Sequence, residues 1–110
     1  MYLSKSRYTK ALQCPKLLWM DMYMPEKAVQ DDSVDAKFET GNIVGDLARK
    51  CFNDCVLVEY SEDKSLMIDE TQKYLNEGAE NIAEASFSFN GLVCSVDILH
   101  KNPFGWDIIE

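Results

Sequence analysis

Glu84, Asp97 and Glu110 are the residues whose type and spacing point most directly to chemistry. Asn90-Gly91 lies between two alternating segments, about residues 82–99, and is the strongest short hairpin signal in the chain. A tight turn there sets Phe89 against Leu92 and, further along the ladder, Glu84 directly against Asp97. One face then carries Ala83, Ala85, Phe87, Phe89, Leu92, Cys94, Val96 and Ile98, all apolar. The other carries Glu84, Ser86, Ser88, Val93, Ser95, Asp97 and Leu99. Like charges directly opposed destabilise a sheet, so solvent, a cation or a shared proton must offset the pair. A solvated sheet face is one reading, but Asp97 sits between Val96 and Ile98 and shares its face with Leu99, a poor setting for a simple surface charge. After a loop at 100–105, Trp106-Asp107-Ile108-Ile109-Glu110 reads as a third strand, residues 106–110. Pairing Leu99 with Trp106 puts Glu110 on the face of Asp97 as a diagonal neighbour, whereas a slip of one residue would put them on opposite faces. Converging carboxylate oxygens suit a hard divalent cation, Mg²⁺ or Mn²⁺. Such a cation activates water and stabilises charge on a phosphate.

The other chemistry-bearing residues carry weaker signals. Residues 1–20 hold Lys5, Arg7, Lys10 and Lys16 and no acid, while the remaining ninety hold seven basic and nineteen acidic side chains. A net charge of −8 excludes a generally basic nucleic-acid coat. A local phosphate-facing patch at the N-terminus is compatible with it, as is plain solvation of exposed helix faces. Of the four cysteines, Cys51-x-x-x-Cys55 has no second Cys or His pair to make a zinc site. Cys51, Cys55 and Cys94 are expected to be buried, inert thiols. His100 is the only histidine, and nothing in its spacing supports a Cys–His dyad.

The elements that must position these residues follow from periodicity and punctuation. Ser4 or Ser6 caps a helix that runs to about Gln13. Pro15 opens a second helix that Pro25 ends near Tyr23. After Asp31-Asp32-Ser33, a loop and cap signal, Val34, Phe38, Gly41, Val44, Leu47, Ala48, Cys51 and Phe52 recur at helical spacing. Gly41 and Gly45 within that helix suggest that something packs against its backbone. A short β run at 56–60 follows, then a helix from about Lys64 to Asn76, capped by Ser61 and stopped by Gly78. The fold class is α/β and the chain of 110 residues reads as a single domain, an N-terminal helical segment (1–25) and an α/β core (34–110). No apolar run is long enough to span a membrane and no signal peptide is evident, so the expected location is cytoplasmic. The terminal strand leaves a sheet edge through which self-association is possible.

The order helix–strand–helix, a hairpin bearing Asp and a strand ending in Glu resembles the PD-(D/E)XK nuclease superfamily, in its RecB-like branch, which includes the CRISPR-associated iron–sulfur exonucleases. The segment from Tyr8 to Trp19, with Cys14-Pro15, resembles the N-terminal Cys-Pro helix of that branch. Phe38-Glu39-Thr40-Gly41-Asn42-Ile43-Val44-Gly45-Asp46-Leu47-Ala48 resembles the first nuclease motif. Val96-Asp97-Ile98-Leu99 and Trp106-Asp107-Ile108-Ile109-Glu110 resemble the metal-binding Asp and the Glu of Glu-x-Lys. The resemblance implies a restriction-endonuclease-like core, with Asp97 and Glu110 as catalytic metal ligands and DNA as partner. It also implies Cys14 as the first of four cluster ligands.

Gly45 stands where many relatives place a metal-binding His, and Glu39 could supply a carboxylate from the same helix. The Lys of Glu-x-Lys and the three remaining cluster cysteines that the resemblance calls for are not among these 110 residues. The expectation is therefore the N-terminal part of a Mg²⁺- or Mn²⁺-dependent DNA nuclease, inactive as residues 1–110 and holding no iron–sulfur cluster by itself. The alternative is a non-catalytic nucleic-acid- or protein-binding module on the same scaffold.

Overall fold

The computed structural model describes residues 2–29 and 32–110, without the side chains of 32–38. Of the loop and cap signal expected at Asp31-Asp32-Ser33, Asp31 lies outside the described residues, as do the side chains of Val34 and Phe38, while Asp32 and Ser33 already belong to a helix. The described residues form a mixed α/β fold, with four α-helices and an open five-stranded sheet.

Strand β1 (Leu3–Ser4) leads into α1 (Lys5–Gln13). Ser4 caps that helix, its hydroxyl accepting from the Arg7 backbone N–H at 3.3 Å. α2 (Pro15–Tyr23) starts on Pro15, whose missing N–H costs nothing in a first turn. A 3₁₀ turn (Pro25–Lys27) follows, then α3 (Asp32–Lys50), β2 (Val56–Leu57) and α4 (Lys64–Asn76). Asp63, not Ser61, caps α4: its carboxylate accepts from the Ser65 N–H at 3.0 Å, while the Ser61 hydroxyl accepts from the Asp63 N–H. Gly78 ends the helix with φ +82°, a left-handed conformation that glycine adopts without a Cβ clash.

β3 (Asn81–Phe89) and β4 (Leu92–Asn102) form the hairpin, with Phe89 opposite Leu92 as expected. Asn90 and Gly91 both have positive φ, which matches the right-handed twist of the strands they join. β5 (Gly105–Ile109) turns back along β4 through Pro103-Phe104. The Asn102 side chain braces this turn, accepting from the Phe104 N–H and donating to Asp107, both at 2.8 Å. The expected loop at 100–105 is thus mostly strand.

The sheet order is β1-β4-β3-β2, with β5 also on β4. β2 runs parallel to β3 through the α4 crossover. β1 (parallel) and β5 (antiparallel) share one edge of β4, β1 at Leu92–Val93 and β5 at 98–102. Among the described residues β5 pairs only with β4, so its outer edge is open.

The core gathers Val58, Met67, Ile82, Ala85, Val96 and Leu99. Ile82 and Ala85 are three apart, as are Val96 and Leu99, so strict alternation would place each pair on opposite faces. Both strands reverse sidedness between those positions, and Glu84 is where it happens: its φ is +57°. The ladder pairs Ala83 with Ile98 and resumes at Ala85 with Val96, leaving Glu84 and Asp97 out. The uniform apolar face expected along the hairpin is therefore corrected. Ala85 and Val96 join the core under α4, Ile98 turns to a cavity beside α3, and Phe89, Leu92 and Cys94 are exposed.

Candidate metal centre

A cavity of about 480 Å³ lies between α3 and the sheet. Its walls hold Glu84 from β3, Asp97 and Ile98 from β4, Ile109 and Glu110 at the end of β5, and Gly41, Gly45 and Arg49 from α3. The three carboxylates named from sequence thus share one cavity. The register that brings Glu110 there differs from the expected one: Lys101 pairs with Trp106, and Leu99 with Ile108. The two-residue turn slides β5 by two positions, which preserves the face and brings Glu110 level with Asp97 instead of diagonal to it.

The carboxylates do not form a ready-made cage. Among the described residues no three His, Cys, Asp or Glu side chains come together closely enough to hold a metal ion. Glu84 is half-buried and its carboxyl is pushed above the usual range, first by burial and then by the charge of Asp97, against an opposing pull from Arg49. Glu110 is engaged by Lys5, whose ammonium forms an ion pair with it. The same contact, and the nearby charge of Asp97, raise the Lys5 pKa. Asp97 itself is exposed.

Gly41 and Gly45 do not mark a close approach: a Cβ at Gly41 would meet nothing within 4 Å, and at Gly45 only the Arg49 guanidinium at 3.7 Å. Their missing side chains leave the cavity roof open. Glu39 is exposed and is not part of the cavity wall. Sequence reasoning missed Arg49 and the role of Lys5. Arg49 lies four residues after Gly45 and so shares its helix face, a signal that was legible. Lys5 reaches the site only because β1 pairs with β4, and a two-residue strand leaves no periodicity to read.

Two of the three remaining basic residues of the N-terminal segment share a single carboxylate. Lys10 pairs with Asp21, and Arg7 lies 3.7 Å from the same carboxylate. These contacts hold the Asp21 carboxyl below its usual range, the Lys10 hydrogen bond most of all. Lys16 is exposed. Cys14 is exposed at the N-cap of α2, where its side chain makes no capping bond.

The expectation of buried thiols is corrected. Cys51 and Cys94 are exposed, because Cys51 lies past the end of α3 and Cys94 on an uncovered part of the sheet. Cys55 is half-buried, and burial raises its thiol pKa. Cys51 and His100 line a second cavity, of about 780 Å³, yet their hydrogen bonds go elsewhere. The Cys51 thiol donates to the Leu47 carbonyl at 3.6 Å. His100 Nδ1 meets Asn81 Oδ1 at 2.5 Å, and the Asn81 amide donates to the Asn53 carbonyl.

No helix among the described residues is long and apolar enough to cross a membrane. A scan against protein-family models, a search of curated proteins and a search of solved structures find no match to this chain.

Proposed function

We propose that the chain carries the carboxylate site of a metal-dependent nuclease that hydrolyses DNA phosphodiesters, on a restriction-endonuclease-like core of the PD-(D/E)XK kind. The observation that supports this reading is the placement of Glu84, Asp97 and Glu110 around one cavity, with Glu84 held in a left-handed conformation. A non-glycine residue there costs roughly 1–2 kcal/mol, and such strain concentrates at functional sites. Hard carboxylate oxygens match Mg²⁺ or Mn²⁺. Asp97 and Glu110 would hold the cation, with Glu84 flanking it; once bound, it would supply an activated water and charge stabilisation at phosphorus. Arg49, on the opposite wall, is ion-paired with Asp46 and would have to leave that partner to meet an incoming phosphate. The Lys expected two places after Glu110 is not among these residues, so cleavage is assigned to a chain that carries it.

The test is a set of thermal melts of wild type and Asp97→Asn, each in chelator and in millimolar Mn²⁺. Binding to the folded state alone raises the melting temperature by mass action, so wild type should shift upward and the mutant should not. If neither responds to Mn²⁺, the carboxylate reading fails.

A second reading, a non-catalytic module binding nucleic acid or protein on the same scaffold, draws on the Lys5–Glu110 pair. There a side chain of the protein already neutralises a carboxylate the cation would need.

A further inference from the structure

The cavity of about 780 Å³ beside Cys51 and His100 has the size of a small-molecule site, and the carboxylate site does not use it. It lies where two helices end: Phe52 follows α3, Glu77 and Gly78 follow α4, and all three line it. Helix C-termini carry partial negative charge. Its charged side chains are Asp54, Glu77 and Glu80, and among the described residues no lysine or arginine lines it. None of these three carboxylates has an ion pair among the described residues.

His100 adds an acceptor of fixed orientation. The Asn53 carbonyl can only accept, so the Asn81 amide nitrogen, which donates to it at 2.7 Å, faces that way. Asn81 Oδ1 is left for His100 Nδ1, which must therefore carry the imidazole proton. Nε2 of the neutral ring is then a bare acceptor, with no partner among the described residues. Asn81 is 6% exposed, and the Phe52 ring packs on the imidazole with centroids 5.4 Å apart, which holds this arrangement in place. The Cys51 thiol and the Tyr74 hydroxyl, donors on the same wall, are spent on the Leu47 carbonyl and on Glu70.

The wall therefore combines acceptors and negative charge with the apolar surfaces of Phe52, Val56 and Ala79. A metal ion does not match it: no three ligating side chains converge, and apolar walls offer an ion nothing. A ligand with an anionic group would find no cation on the wall to meet it. Guanidinium and ammonium groups do match, because they donate hydrogen bonds and accept none.

We propose that this cavity binds a small organic cation, a guanidinium or primary ammonium on an apolar stem, with His100 Nε2 as its fixed acceptor. The site is separate from the carboxylate cavity and does not rest on the nuclease reading.

The experiment titrates the whole chain with agmatine, putrescine and arginine at mildly alkaline pH, where an imidazole is neutral. His100 is the only histidine, so its ring signals in a nuclear magnetic resonance spectrum report on this cavity and not on the carboxylate site. Before titration the ring should show Nδ1 protonated and Nε2 bare. Agmatine and putrescine should shift the His100 signals saturably, and the tighter of the two identifies the head group. Arginine, whose carboxylate has no cation to meet, should bind several-fold more weakly than agmatine. By calorimetry, Asp54→Asn and Glu80→Gln should each weaken agmatine binding roughly two- to five-fold, the scale of an exposed ion pair. His100→Leu should weaken it about tenfold or more, through loss of a hydrogen bond to a charged group. Asp54 and Glu80 are exposed, so those two variants keep the test valid even where His100→Leu disturbs the fold. A proton on Nε2 in place of Nδ1, His100 signals that stay put at high agmatine, arginine binding as tightly as agmatine, or an affinity indifferent to the substitutions would overturn the proposal.

Discussion

Lys5, in the first turn of α1, forms an ion pair with Glu110, the residue that follows β5. The pair follows from the shared edge of β4. β1 runs parallel along it and β5 antiparallel, so their C-terminal ends converge from opposite directions. Extending the two registers sets Lys5 beside Cys94 and Glu110 beside Asp97, about 10 Å apart along the strand, within reach of a lysine and a glutamate. The N- and C-terminal segments are thereby linked at the candidate metal site.

This link predicts competition. Lys5 supplies a positive charge where a divalent cation would sit, and the side chain is solvent-exposed, so the cation can displace it. Lys5→Met should raise Mn²⁺ affinity roughly two- to five-fold, the scale of an exposed ion pair. Titration calorimetry on wild type and variant checks it. A lower affinity in the variant would mean that Lys5 assists the site. The Lys5 pKa is raised, so on the lysine side the pair stays intact at neutral pH and is lost as pH rises through that elevated value.

Glu84 should destabilise the fold at neutral pH. Its folded pKa lies above the usual range through burial and the Asp97 charge, and an acid with a raised folded pKa opposes folding while it is ionised. The penalty shrinks as pH falls through that folded value toward the unfolded one. Glu84→Gln should therefore stabilise the protein at neutral pH, by a few tenths to about 1 kcal/mol after solvent screening. The gain should fade on mild acidification. Urea unfolding at the two pH values measures this, and a gain independent of pH would point to packing instead of charge.

Asp21 should behave with the opposite sign. Lys10 and Arg7 hold its pKa down, so its contribution is present above the unfolded pKa and is lost as pH falls through the folded one. Asp21→Asn should loosen the α1–α2 hairpin at neutral pH by a few tenths to about 1 kcal/mol. Faster amide exchange confined to residues 5–23, with the sheet unaffected, is the expected result.

Thr71 should be among the least replaceable polar residues. It is 1% exposed; its hydroxyl donates to the Met67 carbonyl at 2.8 Å and accepts from the Ser86 N–H at 2.9 Å. Thr71→Val keeps the shape but leaves that buried N–H without an acceptor, which costs about 1–3 kcal/mol. Thr71→Ser should recover most of the loss. Chemical denaturation of the three proteins tests the ranking.

The helices were legible in the chain because their signals are local. Ser4, Pro15, Pro25 and Gly78 act within a turn of their own positions, and the start of α1, both ends of α2 and the end of α4 follow from them. The hairpin was legible for the same reason: Asn90-Gly91 fixes its register through two backbone angles. That register alone put Glu84 across from Asp97. Tertiary structure decided the rest. The left-handed turn at Glu84 reverses the faces of both strands, and no alternation pattern encodes such a switch. The Pro103-Phe104 turn moved Glu110 level with Asp97, a choice between registers of equal parity that hydrophobic pattern cannot make. Exposure of Cys51 and Cys94 depends on what covers them, and residue type is silent on that. The approach of Lys5 to Glu110 spans nearly the whole chain. It exists only because two short strands meet on one edge of β4, a long-range pairing whose geometry neither segment carries by itself.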